Sequence, residues 1–246
     1  MEALTAQHLH FSYRRFPWSR GRVALADVSL RIEAGELHLL AGANGAGKST
    51  LLRILAGVVR PTAGSVVLFG GKDGRDAAHR VAWLPEAVDA ESRLLARESV
   101  ELYAALYGAR GAERRARAAA ALDEVGMTPL ASRQLRTLSK GERRRVALAQ
   151  ALVTDASLFL LDEPLDGVDP ESSELLLERL VARCRAGASV LLATHVLLDG
   201  RRGGDVLTVL DAGRVAASGP PSKLLFDERG APISFAELLR RARERA

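Results

Sequence analysis

The chain is poor in cysteine, in aromatic residues and in long apolar runs. Only Cys184 is present among 246 residues, so no disulfide framework can form and a reducing compartment is expected. Cys184 shares a helical face with Leu177 and Val181, which indicates a small buried hydrophobe. No apolar run approaches the roughly 18 residues that cross a bilayer. The first residues also lack the basic-then-apolar pattern of a signal peptide. We therefore expect a cytoplasmic chain that reaches a membrane only through partners.

The chain is instead rich in apolar residues, at 48%, and carries a net charge of +5. This length and composition suffice for one large α/β domain, or for a domain with a subdomain. The basic balance would suit nucleic acid or an anionic membrane surface. Because the arginines are scattered among acidic residues, an ordinary solvated surface explains them better, and nucleic acid is an unfavoured partner.

A glycine-rich stretch is the most informative part of the sequence. Residues 42–49 read GANGAGKS, which fits the phosphate-loop spacing, with an apolar run before them and a helical pattern after them. Glycines let successive N–H groups point at one anion, and the following helix adds its positive end. A glycine turn without a ligand is disfavoured because strand, loop and helix are in register. We expect nucleotide contacts from Gly42, Asn44, Gly45, Ala46, Gly47, Lys48, Ser49 and Thr50.

The apolar periodicity predicts an α/β fold with a parallel core sheet, an N-terminal antiparallel β region and a helical insertion. The strands are expected within residues 3–33, 65–69, 81–84, 158–163, 189–194 and 205–218, and the helical insertion within 92–138. We predict one domain over 1–225, with the insertion as a subdomain at about 87–140, and a helical extension over 226–246.

Several polar side chains follow directly on predicted strands. Glu86 follows one strand, Asp162 and Glu163 end another, and His195 follows a third. Ligands of open α/β sheets bind at the carboxyl ends of the strands. These residues are therefore expected beside the phosphate loop, at one edge of the sheet.

An aromatic side chain before the phosphate loop could stack on a nucleobase. Tyr13, Phe16 and Trp18 compete for this role, and the last two lie in a basic loop over 14–22. Tyr13 is favoured because it ends a strand and is held more rigidly. It could also pack only locally.

The order of these motifs resembles that of the ATP-binding subunits of ABC transporters, from about Leu4 to Leu225. Residues 138–142 read LSKGE and are similar to the signature usually written LSGGQ, with Lys140 and Glu142 as departures. Residues 158–163 resemble the Walker B strand, 166–169 the D-loop, Glu86 the Q-loop position and His195 the switch histidine. The resemblance implies a P-loop NTPase fold of the ABC ATPase type.

The resemblance also implies a role for each motif. ATP would bind with Mg²⁺, which Ser49, Asp162 and Glu86 would hold. Glu163 would be the catalytic base, with Lys48 and His195 also acting on the γ-phosphate. Ser139 and Gly141 would close over the ATP of a second subunit. Glu86 departs from the usual glutamine and is interpreted as a mark of exporter-type members.

We thus predict the ATP-hydrolysing subunit of an ABC transporter of the exporter type, ABC-2-like. It would form a homodimer or heterodimer around two ATP molecules and drive a separate integral membrane permease at the inner face of the cell membrane. A weaker likeness links residues 138–149 to the ATPase of haem-exporter systems. The alternatives are a soluble ABC ATPase acting on ribosomes or DNA, and a non-hydrolysing nucleotide switch, against which the Asp162–Glu163 pair argues.

Overall fold

The computed structural model describes residues 2–13, 21–71, 74–87, 92–194, 204–227 and 229–245. Three strands form an antiparallel sheet: β1 (Glu2–Tyr13), β2 (Arg22–Glu33) and β4 (Ala63–Leu68), with β1 in the middle. Six strands form the second sheet: β3 (Leu37–Gly42), β5 (Val81–Leu84), β6 (Leu158–Asp162), β7 (Ser189–Thr194), β8 (Val206–Asp211) and β9 (Arg214–Gly219). Their order is β5-β6-β7-β3-β8-β9, and all pairs are parallel except β8 with β9.

Among the described residues, five α-helices lie between strands, as predicted, and one lies in the predicted C-terminal extension, whereas a short α-helix directly after the last strand was not predicted. The helices are α1 (Lys48–Leu55), α2 (Ala96–Leu106), α3 (Gly111–Glu124), α4 (Lys140–Leu152), α5 (Pro170–Arg185), the short α6 (Pro221–Leu224) and α7 (Phe235–Arg245). Helices α2 and α3 follow β5 without an intervening strand, where the helical insertion was predicted. The α/β architecture with an antiparallel N-terminal sheet is therefore confirmed.

Both faces of the parallel sheet are covered, as its nearly continuous apolar strands require. Along β6, Leu158 and Leu160 pack towards α1 and the antiparallel sheet, whereas Phe159 and Leu161 pack towards α4 and α5. This alternation fixes the register, because a shift by one residue would exchange the two faces. The carboxyl ends of β3, β6 and β7 consequently meet at one edge of the sheet.

Cys184 is buried on α5, and burial raises the pKa of its thiol to about 12, so it is not a reactive thiol at neutral pH. Within the described ranges no helix is both long and apolar enough to span a bilayer.

Candidate functional site

The phosphate loop connects the fully buried strand β3 to helix α1. Gly47 caps α1 with a φ of 110°, in the left-handed region that favours glycine. A Cβ atom added to Gly47 would lie 2.6 Å from the carbonyl oxygen of Ala24, and one added to Gly42 would lie 2.7 Å from that of Leu210. The loop can therefore follow this path only because both positions lack a side chain.

Lys48 is buried at the start of α1, and its ammonium group is already bound within the loop. Its Nζ donates to the carbonyl oxygen of Gly42 at 2.7 Å and lies 3.4 Å from Oε1 of Glu163. A buried cation needs such partners, because desolvation without them is costly. An anionic ligand in the loop would compete with Glu163 for this charge.

Asp162 lies at the end of β6 and is almost completely buried. Burial raises the pKa of its carboxyl, and the nearby charges of Glu86 and Glu163 add to this, while a hydrogen bond with Ser49 acts in the opposite direction. The Oδ1 atom has no hydrogen-bond partner in the described part of the chain. A buried carboxylate oxygen without a partner, beside a serine hydroxyl, suits a hard cation such as Mg²⁺. Asp162 and Ser49, two of the residues predicted to hold the metal, thus fit it.

Glu163 directly follows β6 and has a left-handed backbone, with a φ of 50°. Its N–H donates to the carbonyl oxygen of Ala193 at 2.9 Å, and its own carbonyl accepts from Nε of Arg144 at 2.8 Å. Such a conformation costs about 1–3 kcal/mol in a residue other than glycine and persists only when its surroundings enforce it. Glu163 is therefore kept in a strained conformation by hydrogen bonds at both its N–H and its carbonyl oxygen, and such strain is typical of functional sites.

An open cavity of about 440 Å³ lies above the phosphate loop. Most of the predicted residues line it, including Tyr13, which is 43% exposed and whose hydroxyl lies 3.1 Å from Oγ1 of Thr50. The whole lining is Tyr13, Arg22, Val23, Ala24, Ala43, Asn44, Gly45, Gly47, Lys48, Ser49, Thr50, Glu86 and Glu163.

Some predicted residues do not line this cavity. Ala46 is buried in the core, and the carbonyl of Gly42 faces Lys48. Asp162 lies below the cavity, within reach of Ser49. His195, Phe16 and Trp18 lie outside the described residues.

The signature stretch forms the N-terminus of α4 and lies apart from the cavity. The exposed Ser139 caps the helix: its Oγ accepts from the Glu142 N–H at 3.2 Å, and its own N–H donates to Oε2 of Glu142 at 2.7 Å. These bonds lower the pKa of Glu142. The structure therefore does not bring Ser139 and Gly141 to the phosphate loop of their own chain.

The signature stretch instead contacts the loop after β6. A Cβ atom added to Gly141 would lie 2.3 Å from the carbonyl oxygen of Gly167. Lys140, the residue that departs from the usual glycine, places its Nζ 2.6 Å from Oδ2 of Asp166. The extra cation of this signature is thus paired with a carboxylate of the predicted D-loop.

Two arginines of the site were missed by sequence reasoning. Arg22 lines the cavity from β2, where it pairs with Tyr13 of β1. Arg144 is buried and binds main-chain carbonyls around Glu163. Arg22 could have been found from its place at the start of the strand opposite Tyr13. Arg144 stands in a run of arginines whose other members are less buried, and no pattern separates it.

Comparisons with known proteins agree with this geometry. A family described as ABC transporter matches residues 25–166, more than half of the chain. The Nod factor export ATP-binding protein I of Cupriavidus metallidurans is 33% identical over 214 residues, which are 86% of this chain and 71% of that protein. Its namesake in Rhizobium johnstonii is 32% identical over 216 residues, 87% of this chain and 70% of that protein.

Solved structures agree as well. The ATP-binding subunit of an ABC transporter superimposes with a TM-score of 0.82 at 30% identity, covering 98% of this chain and 99% of its own. A dimeric ATP-binding cassette in a post-hydrolysis state, bound to ADP and Pi, gives a TM-score of 0.77 at 25% identity, covering 89% of this chain and 98% of its own.

Proposed function

Because this chain belongs to the ABC transporter family as an ATP-binding, ATP-hydrolysing subunit, we propose that two such subunits enclose ATP between them and drive an exporter. The observation that carries this proposal is the separation of the two anion-binding motifs. Neither Ser139 nor Gly141 lines the cavity above Lys48. The phosphate loop of one subunit and the signature of another would together surround one nucleotide.

The chemistry at the γ-phosphate would begin with an exchange of partners at Lys48. Phosphate oxygens would replace Glu163 as the main counter-charge of the ammonium group, since charge-assisted bonds to phosphate are strong. The released Glu163 carboxylate would accept a proton from the water that attacks the γ-phosphorus, with ADP as the leaving group. His195 is proposed to contact the γ-phosphate.

Ser49, Asp162 and Glu86 are the residues that would hold Mg²⁺. Two features of Asp162 support this assignment. Its Oδ1 has no hydrogen-bond partner in the described ranges, and its carboxyl group forms a hydrogen bond with Ser49. When bound, the metal would neutralise charge on the phosphates. It would also relieve the repulsion among the three carboxylates Glu86, Asp162 and Glu163.

Export is proposed from the relatives, which are Nod factor export ATP-binding proteins. A substrate for this chain is not proposed, since the membrane subunit would select it. We place the protein on the cytoplasmic face of the cell membrane, attached through that subunit. The ribosome- or DNA-directed alternative has no observation in its favour.

A groove between β5 and α2 is our candidate for the surface that receives the membrane subunit. The groove, of about 220 Å³, is lined in part by Trp83, Leu102 and Tyr103. The indole N–H of Trp83 is buried without a hydrogen-bond partner in the described ranges, and Leu102 and Tyr103 are exposed. A segment of the membrane subunit with a free carbonyl and apolar side chains would satisfy both features.

Dimer formation can be tested by sedimentation of a slow variant. Glu163→Gln keeps the size of the side chain but not its basicity, so turnover should fall by roughly 10²–10⁴. Because ATP then persists, it should stabilise a dimer by mass action, whereas the nucleotide-free variant should stay monomeric. Adding Ser139→Arg should abolish the dimer, while the matched surface change Ser222→Arg should not. A Glu163→Gln variant that hydrolyses at the parent rate, or stays monomeric with ATP, would contradict the proposal.

Docking can be tested by cross-linking, because the buried Cys184 will not compete for a thiol reagent. Leu102→Cys places a thiol at a position 49% exposed, and Leu175→Cys on α5, 42% exposed, is the matched control. In native membranes only the former should capture a multi-helix membrane protein. Capture of ribosomes or DNA from Leu102→Cys would favour the alternative.

A further inference from the structure

Arg144 is a buried arginine in the second turn of α4 whose side chain reaches the catalytic edge of the sheet. Its Nε donates to the carbonyl oxygen of Glu163 at 2.8 Å, and its Nη2 donates to that of Asp162. Its Nη1 donates to the carbonyl oxygens of Pro85 at 2.7 Å and Glu86 at 3.0 Å. One side chain thus binds the chain segments that follow two neighbouring strands, β5 and β6.

The chemistry of the guanidinium group suits this arrangement. It has five donors in a rigid planar fork, whereas a lysine has one compact ammonium group. Burial lowers the pKa of Arg144, and the charges of Asp162, Asp166, Glu163 and Glu86 oppose this. Each of the acceptors named above is a main-chain oxygen, so the arginine fixes backbone positions and leaves the carboxylates of Glu86 and Glu163 on the lining of the cavity.

The backbone of Glu163 is the segment most in need of such support. Its left-handed conformation is enforced by Ala193 at the N–H and by Arg144 at the carbonyl. Loss of either bond would let the peptide relax and turn the carboxylate away from its present direction. Helix α4, which lies outside the phosphate loop, therefore determines the direction of the Glu163 side chain.

We infer that Arg144 is a positioning residue that sets the direction of the Glu163 carboxylate and links it to Glu86. The inference rests on the proposed role of Glu163 as the base. Ser139 caps the same helix five residues earlier, about 7.5 Å away along the axis. Contact of Ser139 with a partner-bound nucleotide would then be transmitted through α4 to Glu163 and Glu86 together.

The test is a comparison of Arg144→Lys and Arg144→Met with the parent chain. Since a misplacement of about 1 Å can cost about 10²-fold in rate, kcat should fall roughly 10- to 100-fold in Arg144→Lys and further in Arg144→Met. Affinity for ATP, titrated in the Glu163→Gln background where ATP is consumed only slowly, should change less than about threefold. The ATP-dependent dimer of Arg144→Lys in that background should persist. If Arg144→Met does not fold, Arg144→Lys still decides.

Arg183→Lys is the matched control. Arg183 is a partly buried arginine that binds Glu124 and lies over the ring of Phe159. This substitution should alter thermal stability without altering kcat per folded molecule. If Arg144 acts through Glu163, Arg144→Lys should add no further loss of turnover to Glu163→Gln.

The results separate this inference from the proposed function. If Glu163→Gln abolishes turnover and Arg144→Lys retains it, Glu163 is the base but Arg144 does not position it. If Arg144→Lys weakens ATP binding as much as it lowers kcat, its role is structural and the inference is wrong. If Glu163→Gln keeps the parent rate, the proposed base fails and the positioning role fails with it.

Discussion

The phosphate loop and the signature both have small residues at the start of a helix, but the two motifs differ in burial and in contacts. The loop encloses a buried cation, Lys48, among carboxylates, and its glycines are crowded by neighbouring strands. In the signature, Ser139 and Lys140 are exposed, and Ser139 is already engaged with Glu142 in a capping box. In the proposed dimer, the loop would therefore supply one half of the nucleotide site within its own chain, and the signature would supply the other half to a second subunit.

Charge pairing follows the same division. Lys48 and Glu163 form a buried pair, and removal of one partner of a buried pair is strongly destabilising. Lys140 and Asp166 form an exposed pair, which is worth at most about 1 kcal/mol. We therefore expect changes at the loop to disturb binding by the single chain, and changes at the signature to disturb only assembly and turnover.

The largest effect is expected from Lys48→Ala. Each charge-assisted contact to phosphate is worth about 1.5–3 kcal/mol, so ATP affinity should fall at least about tenfold. Glu163 would also lose its buried counter-charge, so the nucleotide-free protein should be less stable. Calorimetric titration with ATP measures the first effect and denaturant unfolding the second. The exposed Lys223→Ala is the control, and equal affinities in both variants would contradict the assignment.

The next effect is expected from a pair of glycine substitutions that should separate the two motifs. In Gly47→Ala the new Cβ would lie 2.6 Å from the carbonyl oxygen of Ala24, so the loop must move and the ATP affinity of the monomer should fall by roughly tenfold. In Gly141→Ala the clash is with Gly167, outside the cavity. Turnover and the ATP-dependent dimer should then fall roughly tenfold or more, with unchanged ATP affinity of the monomer. Loss of monomer affinity in Gly141→Ala would undo the division between the motifs.

Sequence patterns were sufficient to predict the strands, the phosphate loop and the carboxylates at the strand ends. Period-two and continuous apolar patterns identify strands directly, and parallel strands bring their carboxyl ends together. That is why Glu86 and Glu163 could be placed beside Lys48 without a structure.

The remaining features depend on contacts that no local pattern encodes. The left-handed backbone of Glu163 is enforced by Ala193 and Arg144, which are distant in sequence. The pairing of Lys140 with Asp166 depends on how α4 meets the loop after β6. Burial, which distinguishes Arg144 from neighbouring arginines, is likewise a tertiary property.

A moderate effect is expected from Tyr13→Ala, on the nucleotide side of the comparison. Loss of the stacking area should cost about 1–2 kcal/mol, so ATP affinity should fall by about five- to thirtyfold. Tyr13→Phe keeps the ring and removes only the bond to Thr50, so it should bind ATP almost as the parent does. A larger loss in Phe16→Ala or Trp18→Ala would move the stacking role into the basic loop.

The smallest effects should come from two carboxyl groups with opposite pKa shifts, one in each region. Burial raises the pKa of Asp162, so its ionised form destabilises the nucleotide-free protein. This cost is complete above the raised pKa and vanishes below the ordinary pKa of an aspartate. Asp162→Asn should therefore raise the free energy of unfolding by about 1 kcal/mol at neutral pH, and less as the pH falls.

Glu142 behaves in the reverse sense, since its cap bonds with Ser139 lower its pKa. Its contribution to stability is present above the ordinary pKa of a glutamate and is lost as the pH falls through the lowered value. Because Glu142 is partly exposed to solvent, Glu142→Gln should cost only about 0.3 kcal/mol at neutral pH. Urea unfolding of both variants from acid to neutral pH measures the two trends. Asp162→Asn should also lose ATP turnover, which would show that function requires the carboxylate that destabilises the fold. An Asp162→Asn variant less stable than the parent would instead show that the carboxylate is compensated without a metal.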